Sequence, residues 1–401
     1  MHVALVGTYP PVRCGIATFT ADIESALVLN GVEVTVVSVS PGERSGRGIG
    51  RDVRSSYSGT AETVNELGCD VVLIEHEFGI FGGAAGAHVL EFTGALRAPY
   101  VVTLHTVLPK FSAAEAAVLA PLCAAASGVT VFTTTARRLL VDQALVSSGM
   151  LHIVAHGAPM VLYAAVDGGA VRQRFGLAAA GPVMSTFGLL SAGKGIEVAI
   201  RALARLVKRF PEIRYVIAGG THPEVLRYEG EQYRRSLHTL VADLALEDHV
   251  VFLDRFLSVE DLADLLGITD VFCTPYSGAD QIVSGALTFA LAAGCAVVST
   301  PYRYARDMLA GGAGLFADFG DSDGFADAVS RLLHNGPERD AAQLAAMRAA
   351  ASLSWPSVGA LMRSVLTASS TQPGRCHGVA FPRERANDSG RGSDAALMTS
   401  G

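Results

Sequence analysis

Charged residues are scarce in this sequence, and neither sign of charge is concentrated in a run. Aspartate, glutamate, lysine and arginine make up 17% of the 401 residues, and the formal net charge is −7. A chain without a cluster of lysine and arginine has little affinity for the phosphate backbone of nucleic acids. We therefore expect no nucleic-acid partner, and the acidic balance indicates a soluble surface.

Long apolar runs are also missing. No uninterrupted apolar stretch approaches the roughly 20 residues that a membrane-spanning helix needs, so we expect no integral membrane segment. The amino terminus has no basic segment followed by an apolar core, and the sequence therefore predicts no signal peptide and a cytoplasmic protein.

Cysteines are few and scattered. None of the six belongs to a Cys-x-x-Cys pair, and Cys273 and Cys295 lie in or beside apolar runs. This placement is typical of small buried side chains in a reducing compartment, so no disulfide framework is expected.

Hydrophobic residues, in contrast, make up 50% of the chain, in short runs that alternate with longer helical patterns. Runs that are apolar on both faces predict strands of a parallel sheet covered by helices on both sides. The pattern is completed once and then begins again, which predicts two doubly wound Rossmann-like domains of the α/β class. The predicted strands are residues 2–7, 33–39, 70–75, 100–105 and 128–134, followed by 183–189, 214–220, 249–256, 270–276 and 296–300.

The same pattern sets the expected domain limits. We expect the first domain over residues 1–165 and the second over 166–355, with the join in the weakly patterned stretch 161–175. The polar, glycine-rich segment 40–59 predicts a mobile loop.

The end of the chain divides into two parts. Residues 356–368 predict one last amphipathic helix, whereas residues 369–401 have no period and little apolar content. The latter composition is typical of a disordered tail.

Ligands of parallel sheets bind beyond the carboxyl ends of the strands, and three places in the first half carry suitable residues. Gly15 lies in a loop that leads into a helix, where backbone N–H groups favour an anion. Glu75, His76 and Glu77 end the third strand and could bind a polyol or transfer a proton, but no second ligand set at helical spacing supports a metal. His105 closes the next strand and could donate to a sugar hydroxyl or a leaving group. An ordinary turn, a solvated strand end and a structural histidine are the respective alternatives.

Two further places lie in the second half, and the first of them is the more specific. Lys194 lies between Gly193 and Gly195 immediately before a helix. Its ammonium group and the free backbone N–H groups would surround one point, which suits a diphosphate. A plain turn with a solvated lysine is the alternative.

The second place is the start of a later helix. Ser284, Gly285 and Ala286 begin this helix, so their amides could cap a phosphate. Gln281 lies just upstream, and Phe289, more than one turn inside the helix, is expected to pack.

Together these features resemble a retaining glycosyltransferase of family four, in which two Rossmann-like domains face each other across a cleft in the architecture called GT-B. The resemblance covers roughly residues 1–367 and is closest to a bacterial branch with HEFGIFGG, THPEV and QIVSGALTFAL. It is carried by the Gly15 loop, TLH at 103–105, FGLLSAGKG at 187–195, TPYSGADQIVSGALTFALAAGCAVVSTPY at 274–302, and SW at 354–355.

The resemblance implies how the two domains divide the work. The second domain would bind a UDP- or GDP-linked sugar, the first would bind a hydroxyl-bearing acceptor, and the helix 356–368 would cross back to the first domain. Lys194 matches the phosphate-binding lysine, Gly15 the loop that meets the diphosphate, and His105 the histidine near the transferred sugar. Such enzymes generally use no metal or other cofactor, since cationic side chains and helix ends take the diphosphate charge.

Three positions depart from the family's pattern. Leu189 stands where an arginine is usual, and Gln281 and Phe289 replace a pair of glutamates eight positions apart. Gln281 can still bond a sugar hydroxyl because its amide both donates and accepts, whereas Phe289 cannot replace a carboxylate on ribose. Arg255, at the end of a predicted strand, is our candidate for the second positive charge.

The sequence therefore predicts a retaining hexosyltransferase that uses a nucleoside-diphosphate sugar. Two other classes remain open: a non-catalytic module that binds nucleotide sugars, and a sugar-nucleotide epimerase or hydrolase, for which Glu75, Glu77 and Asp280 are the candidate acids or bases. A dinucleotide-dependent dehydrogenase is disfavoured because no Gly-x-Gly-x-x-Gly fingerprint is present.

Overall fold

The computed structural model describes residues 1–12, 14–42, 47–177, 180–334 and 336–371. The strands are β1 (His2–Gly7), β2 (Glu33–Ser40), β3 (Ile49–Gly50), β4 (Val71–His76), β5 (Tyr100–Leu104), β6 (Gly128–Val131), β7 (Leu151–Ile153), β8 (Val183–Phe187), β9 (Arg214–Ala218), β10 (Val250–Leu253), β11 (Val271–Thr274), β12 (Ala296–Ser299) and β13 (Gly314–Phe316). The helices are α1 (Gly15–Leu29), α2 (Ser55–Leu67), α3 (Val89–Ala95), α4 (Ala113–Ala125), α5 (Thr134–Asp142), α6 (Gly168–Arg174), α7 (Ile196–Leu206), α8 (Pro223–Tyr228), α9 (Gln232–Asp243), α10 (Val259–Gly267), α11 (Gly285–Ala292), α12 (Arg303–Met308), α13 (Ser322–His334), α14 (Gly336–Ala350) and α15 (Trp355–Ser370).

The strands form two sheets, and all the recorded strand pairs are parallel. The first sheet has seven strands in the order β3-β2-β1-β4-β5-β6-β7, and the second has six in the order β10-β9-β8-β11-β12-β13. Helices separate successive strands except β2 and β3, so each sheet is doubly wound. The prediction of two parallel-sheet α/β domains is confirmed.

The sheets also contain three strands that the sequence pattern did not predict, namely β3, β7 and β13. Each lies at an edge of its sheet and spans only two or three residues. A segment this short cannot display an apolar period, which explains why the pattern misses it.

The segment 40–59 is not one long loop. Within it, β3 pairs with β2, and α2 begins at Ser55. The Ser56 hydroxyl accepts from the backbone N–H of Gly50 at 3.1 Å and donates to the carbonyl of Val53 at 2.6 Å, so one side chain connects strand and helix. Residues 43–46 of the segment lie outside the described residues.

The last helix is longer than expected. It runs through Ser370, so Ser369 and Ser370 are helical rather than part of a disordered tail. Residues 372–401 lie outside the described residues, and their predicted disorder stays a prediction.

Helix α15 packs against α1 of the first domain at close range. A Cβ atom at Gly359 would lie 2.5 Å from the carbonyl oxygen of Ala26, so only glycine permits this approach. Asn30, after the end of α1, donates to the carbonyl of Pro356 at 3.1 Å, and its own carbonyl accepts from Arg363 at 2.9 Å. The chain therefore returns to the first domain after leaving the second.

Successive residues of the first sheet face opposite sides, as the two-residue period of a strand requires. One face, which carries Leu73 and Val101, belongs to an apolar cluster with Phe19 of α1 and Trp355 of α15 that continues into the second domain. The opposite face belongs to a separate cluster, which consists of first-domain residues and Ile282 of the second domain. By the same period, Glu75 and Thr103 lie on the face of α1 and α15.

Most of the cysteines are core residues, as predicted. Cys69, Cys123, Cys273 and Cys295 are buried, and burial raises the pKa of each thiol. Cys14 differs, because it is only partly buried and its sulfur accepts from the backbone N–H of Ala17 at the start of α1.

Candidate functional site

Each sheet has a place where the strand order reverses, and ligands of such sheets bind in the crevice there. In the first sheet the place lies between β1 and β4, and in the second it lies between β8 and β11. We call these the first and the second crevice. The loop after β1 leads to Gly15 and β4 ends in Glu75 and His76, whereas the loop after β8 leads to Lys194.

A row of polar side chains crosses the first sheet beside the first crevice. In the strand register Glu75 lies opposite Thr103, and Thr103 lies opposite Thr130. Thr130 Oγ1 donates to Thr103 Oγ1 at 2.9 Å, and Thr103 Oγ1 donates to Glu75 Oε1 at 3.4 Å. The other carboxylate oxygen, Oε2, lies 2.8 Å from Nε2 of His105. The structure therefore brings two of the predicted site residues, Glu75 and His105, into direct contact.

The ring of His105 is packed as well as hydrogen-bonded. Its centroid lies 4.9 Å from that of Phe19 and 5.1 Å from that of Phe132, both edge to face. The His105 residue is 8% exposed, and its backbone N–H donates to the carbonyl of His76 at 2.9 Å. These contacts leave the imidazole little freedom to rotate.

His76 points to the opposite face of the sheet. Its ring stacks on Phe81, edge-on to Phe78, with centroids 5.9 and 5.1 Å away. Burial lowers the pKa of His76 to about 3, so the ring is neutral, and neither nitrogen has a hydrogen-bond partner among the described residues. Glu75 and His76 are both fully buried, whereas Glu77 is partly exposed and accepts from the N–H of Gly79 at 2.7 Å. Acceptor binding by these residues stays a prediction, and in this conformation only Glu77 of the three has exposed surface.

The Gly15 loop ends at the amino terminus of α1, a helix of 15 residues with no acid in its first turn. A Cβ atom at Gly15 would meet nothing within 4 Å, so the space beside it is open. An open helix start without a competing carboxylate is compatible with an anion, and anion binding at Gly15 stays a prediction.

The second crevice places Lys194 over an aromatic ring. The ammonium nitrogen lies 4.2 Å from the centroid of Tyr276, which in turn stacks on Tyr302 at 5.0 Å. Both tyrosines are fully buried, and the hydroxyl of Tyr276 has no hydrogen-bond partner within the described part of the chain. The sequence does not predict this pair, because nothing in the run TPY distinguishes a ring below a lysine from an ordinary core tyrosine.

The backbone around Lys194 packs closely against the loop that follows β11. Gly195 has φ +59°, and a Cβ atom there would lie 2.1 Å from the carbonyl oxygen of Pro275. The N–H of Ser277 donates to the carbonyl of Gly193 at 3.1 Å. Glycine at 195 is thus required both by the left-handed backbone and by the contact.

The start of α11 forms the other side of the second crevice. Ser284 is the N-cap of the helix and its hydroxyl accepts from the N–H of Leu287 at 3.2 Å. Gln281 donates its side-chain N–H to the carbonyl of Val283 at 3.0 Å. The amides of Gly285 and Ala286 belong to the first turn, where a phosphate would bind.

Phe289 packs where the two domains meet, near a histidine that the sequence analysis missed. His156 has its ring centroid 6.2 Å from Phe289, 5.1 Å from Phe19 and 5.8 Å from Trp355. Burial lowers the pKa of His156 to about 4, so the ring is neutral although the residue keeps some exposed surface. Its Nδ1 donates to the carbonyl of Gly157 at 2.8 Å, which leaves Nε2 as an acceptor.

The Nε2 atom of His156 lies close to the start of α11. A Cβ atom at Gly285 would be 3.2 Å from it. A single histidine between two short apolar stretches gives no pattern that predicts this position.

Arg255, the arginine expected to face the diphosphate, forms an ion pair with Asp261 near the protein surface. Its guanidinium group is 56% exposed and lies 2.6 Å from Asp261. It follows β10, two strands from β8 in the sheet order, which corresponds to about 10 Å. A role at the diphosphate stays a prediction, and it requires that Arg255 leave Asp261. The buried cation at this edge is Arg234, which donates to the carbonyl of Gly219 at 2.9 Å and pairs with Asp254.

A polar contact joins the two domains beside the cleft. The backbone N–H and the hydroxyl of Thr135, at the start of α5, donate to the carboxylate of Asp307 on α12 at 3.2 and 2.8 Å. An acid at a helix amino terminus is favoured by the helix dipole, so this contact stabilises the present arrangement of the domains.

The described residues offer neither a metal site nor a membrane-spanning helix. They contain no group of three or more histidine, cysteine, aspartate or glutamate side chains placed to hold a metal ion. Within the same residues, no helix is both long and apolar enough to cross a membrane.

The second domain is similar in sequence to known glycosyltransferases. Residues 170–348 match the model of the family described as glycosyl transferases group 1. The chain is 28% identical over 281 residues to a D-inositol 3-phosphate glycosyltransferase of Nocardia farcinica, covering 65% of this chain and 59% of that protein. It is 31% identical over 205 residues to a GDP-mannose-dependent alpha-(1-6)-phosphatidylinositol monomannoside mannosyltransferase of Mycolicibacterium smegmatis, covering 49% of this chain and 50% of that one. The chain thus spans between half and three fifths of the length of these two relatives.

Solved structures show the same architecture over nearly the whole chain. HepE of Anabaena in complex with UDP has a TM-score of 0.71 and 19% identity, with 92% of this chain and 100% of that chain covered. Sucrose-phosphate synthase of Thermosynechococcus elongatus has a TM-score of 0.72 and 17% identity, with 92% and 98% covered. The fold is therefore GT-B, with two Rossmann-like domains.

Proposed function

We propose that this protein is a glycosyltransferase that moves a hexosyl unit from a nucleoside-diphosphate sugar to a hydroxyl group of an acceptor, with retention at the anomeric carbon. The donor would lie in the second crevice and the acceptor in the first. The match of residues 170–348 to a glycosyltransferase family supports the donor side of the proposal. Retention of configuration rests on the sequence resemblance described above.

The observation that carries the proposal is that Lys194 and the start of α11 flank one crevice. The loop that connects β11 to α11 contains Ser277, whose backbone N–H donates to the carbonyl of Gly193. The loop ends at Ser284, the N-cap of α11. A cationic side chain and the amino end of a helix thus lie on the two sides of the place where a ligand of this sheet binds. Both favour negative charge, as a diphosphate requires.

This arrangement suits the departure of a nucleoside diphosphate. Negative charge grows on the leaving oxygen as the bond to the sugar breaks, and preorganised dipoles and cations that face it lower the barrier. A diphosphate that leaves on the side where the acceptor arrives would take up the acceptor's proton. The contact between Thr135 and Asp307 would help to hold the domains together and so exclude water during the reaction.

The donor's ribose would be held differently from the pattern of the family. Phe289 packs near His156 and Phe187 and carries no hydrogen-bonding group, whereas Gln281 has one side-chain N–H already bonded to the carbonyl of Val283. Loss of a charged hydrogen bond is worth about 1.5 to 3 kcal/mol, which would weaken nucleotide binding without abolishing it. We therefore expect the affinity for the donor to depend mainly on contacts with the diphosphate.

The first experiment is a screen of donors. Thermal shift with UDP-, GDP- and ADP-linked sugars, GDP-mannose among them, is followed by mass spectrometry of the products with candidate acceptors, inositol phosphates among them. Transfer of a hexosyl unit from any donor supports the proposal, and product anomers assigned by NMR decide retention. Tight nucleotide binding with no turnover of any donor would instead favour the non-catalytic module, which the absence of both usual glutamates motivates.

A substitution at Phe289 tests whether the ribose of the donor binds beside this position. If ribose lies beside this position, Phe289→Glu lowers the dissociation constant of the nucleoside diphosphate by roughly tenfold, in line with one charged hydrogen bond. Phe289→Leu is the matched control, because it removes the ring without adding a carboxylate. Equal affinity in the two variants, both with a native melting transition, contradicts this position for the ribose.

A further inference from the structure

The Glu75 carboxylate is enclosed by the protein. Its residue is fully buried, Oε1 accepts from the Thr103 hydroxyl and Oε2 contacts Nε2 of His105. A sugar hydroxyl therefore has no route to this carboxylate in the present conformation. A buried carboxylate is costly unless it is hydrogen-bonded, so its presence beside the first crevice calls for a function other than direct binding.

The surroundings of Glu75 are built to hold it in one place. The hydroxyl of Thr130 donates to that of Thr103, which fixes the Thr103 hydrogen for donation to Glu75. On the other side, a Cβ atom at Gly7 would lie 3.1 Å from Glu75 Cβ and 3.0 Å from the Thr20 hydroxyl oxygen. Glycine at position 7 thus leaves the space that the glutamate stem occupies.

The contact with Glu75 decides which nitrogen of His105 is available. The nitrogen that faces a carboxylate carries hydrogen, so Nε2–H donates to Oε2 and Nδ1 is left for a ligand. Phe19 and Phe132 fix the plane of the ring by edge-to-face contacts. Partners of this kind, which set the tautomer and orientation of a histidine, typically change function by about 10- to 100-fold when removed, as measured at metal sites.

We propose that Glu75 is a positioning residue, which holds His105 through Nε2 so that Nδ1 faces the sugar in the cleft. This inference rests on the proposed transferase function for its consequence in turnover. It does not rest on that function for its structural part, which concerns Glu75 and His105 alone. It also assigns Glu75 a role other than acceptor binding.

The test compares Glu75→Gln with the full-length wild-type protein. Glutamine keeps the shape but can donate as well as accept, so it no longer specifies the tautomer. Nitrogen-15 NMR of histidine-labelled protein should show His105 with hydrogen on Nε2 in the wild type and a changed nitrogen pattern in the variant. We expect kcat to fall about 10- to 100-fold, whereas nucleoside-diphosphate affinity stays within about twofold because the second crevice is a separate site.

Two further variants complete the design. Glu62→Gln on α2 makes the same chemical change at an exposed position and controls for the loss of one negative charge. Thr103→Val removes the donor to Oε1 and serves if Glu75→Gln does not fold; it should shift the His105 signals in the same sense by a smaller amount.

The outcomes separate this inference from the proposed function. Unchanged His105 nitrogen signals in Glu75→Gln, or unchanged kcat in a folded variant, overturn the positioning role. If the wild type turns over no donor at all, the proposed function fails, and the NMR comparison still decides whether Glu75 sets the state of His105.

Discussion

The two crevices of this molecule differ in whether side chains or backbone groups form them. The first relies on side chains, with His105 held by a hydrogen bond to the buried Glu75 and by ring contacts. The second is lined mainly by backbone, with glycines at strand ends and helix starts and one cation, Lys194, above a tyrosine ring. Side chains suit the recognition of sugar hydroxyls, whereas amides and a lysine suit a diphosphate.

This difference also explains where glycine is needed. Gly195 has a positive φ and touches the carbonyl of Pro275, so the requirement comes from the backbone path of the second crevice. Gly7 has an ordinary conformation and is needed only because the Glu75 stem and Thr20 fill the adjacent space. The same residue type thus serves backbone geometry in one domain and side-chain packing in the other.

The largest expected effect is that of removing the cation from the second crevice. Lys194→Ala should lower kcat by about 10² to 10³, as for other groups that stabilise charge in a transition state. The measurement is release of nucleoside diphosphate from the donor found in the screen. Lys208→Ala, at an exposed position just after α7, is the matched control and should be neutral. A smaller loss for Lys194→Ala than for Glu75→Gln would reverse the comparison between the crevices.

A smaller effect is expected from the ring below Lys194. Tyr276→Leu removes a cation–π contact worth about 0.5 to 2 kcal/mol, so the KM for the donor should rise by about 2- to 30-fold. Tyr276→Phe keeps the ring and removes a buried hydroxyl that lacks a partner within the described residues, so it should retain both KM and stability. Steady-state kinetics of the two variants decide the matter, and equal KM values in both would show that the ring does not hold the lysine.

The last effect is on stability rather than on turnover, and it concerns the contact between α1 and α15. Burial raises the pKa of Asp22, on α1, from 3.8 to about 6, and the nearby Trp355 of α15 offsets this only partly. The folded state therefore binds this proton more tightly than the unfolded state, and the resulting stabilisation, complete below about pH 4, is lost as the pH rises through 6. Asp22→Asn should increase the free energy of unfolding at pH 8 by roughly 1 to 2 kcal/mol and have no effect at pH 4.

Denaturant unfolding at the two pH values measures this difference. Asp248→Asn, at an exposed position, is the control. A gain that is equal at pH 4 and pH 8 would contradict the raised pKa as its cause.

The sequence predicted the fold more fully than the site. Apolar runs alternating with helices predicted the ten longer strands, because most of these strands are buried on both faces and consist of four or more mainly apolar residues. The loops after the strands directed attention to Lys194 and His105, since ligands of parallel sheets bind there. The sequence pattern does not predict the partners of these residues, because Glu75 and His105 are 30 positions apart and Lys194 and Tyr276 are further apart still.

Arg255 illustrates the limit of such reasoning. Its position after a strand made it a candidate for the diphosphate, yet its guanidinium group lies against Asp261, six residues later. Arg234, in the first turn of α9, is the arginine that reaches the carbonyl of Gly219 after β9. The direction of a long side chain depends on which acids lie nearby in space, and a strand-end position alone does not specify them.

The sequence by itself determined the two doubly wound domains and the lysine and glycine that precede α7, because these follow from local period and backbone geometry. Only the tertiary structure decided that Glu75 contacts His105, that His156 and Phe289 meet between the domains, and that a tyrosine lies below Lys194. Each of these contacts joins residues far apart in the chain, and their geometry is set by strand register and domain packing.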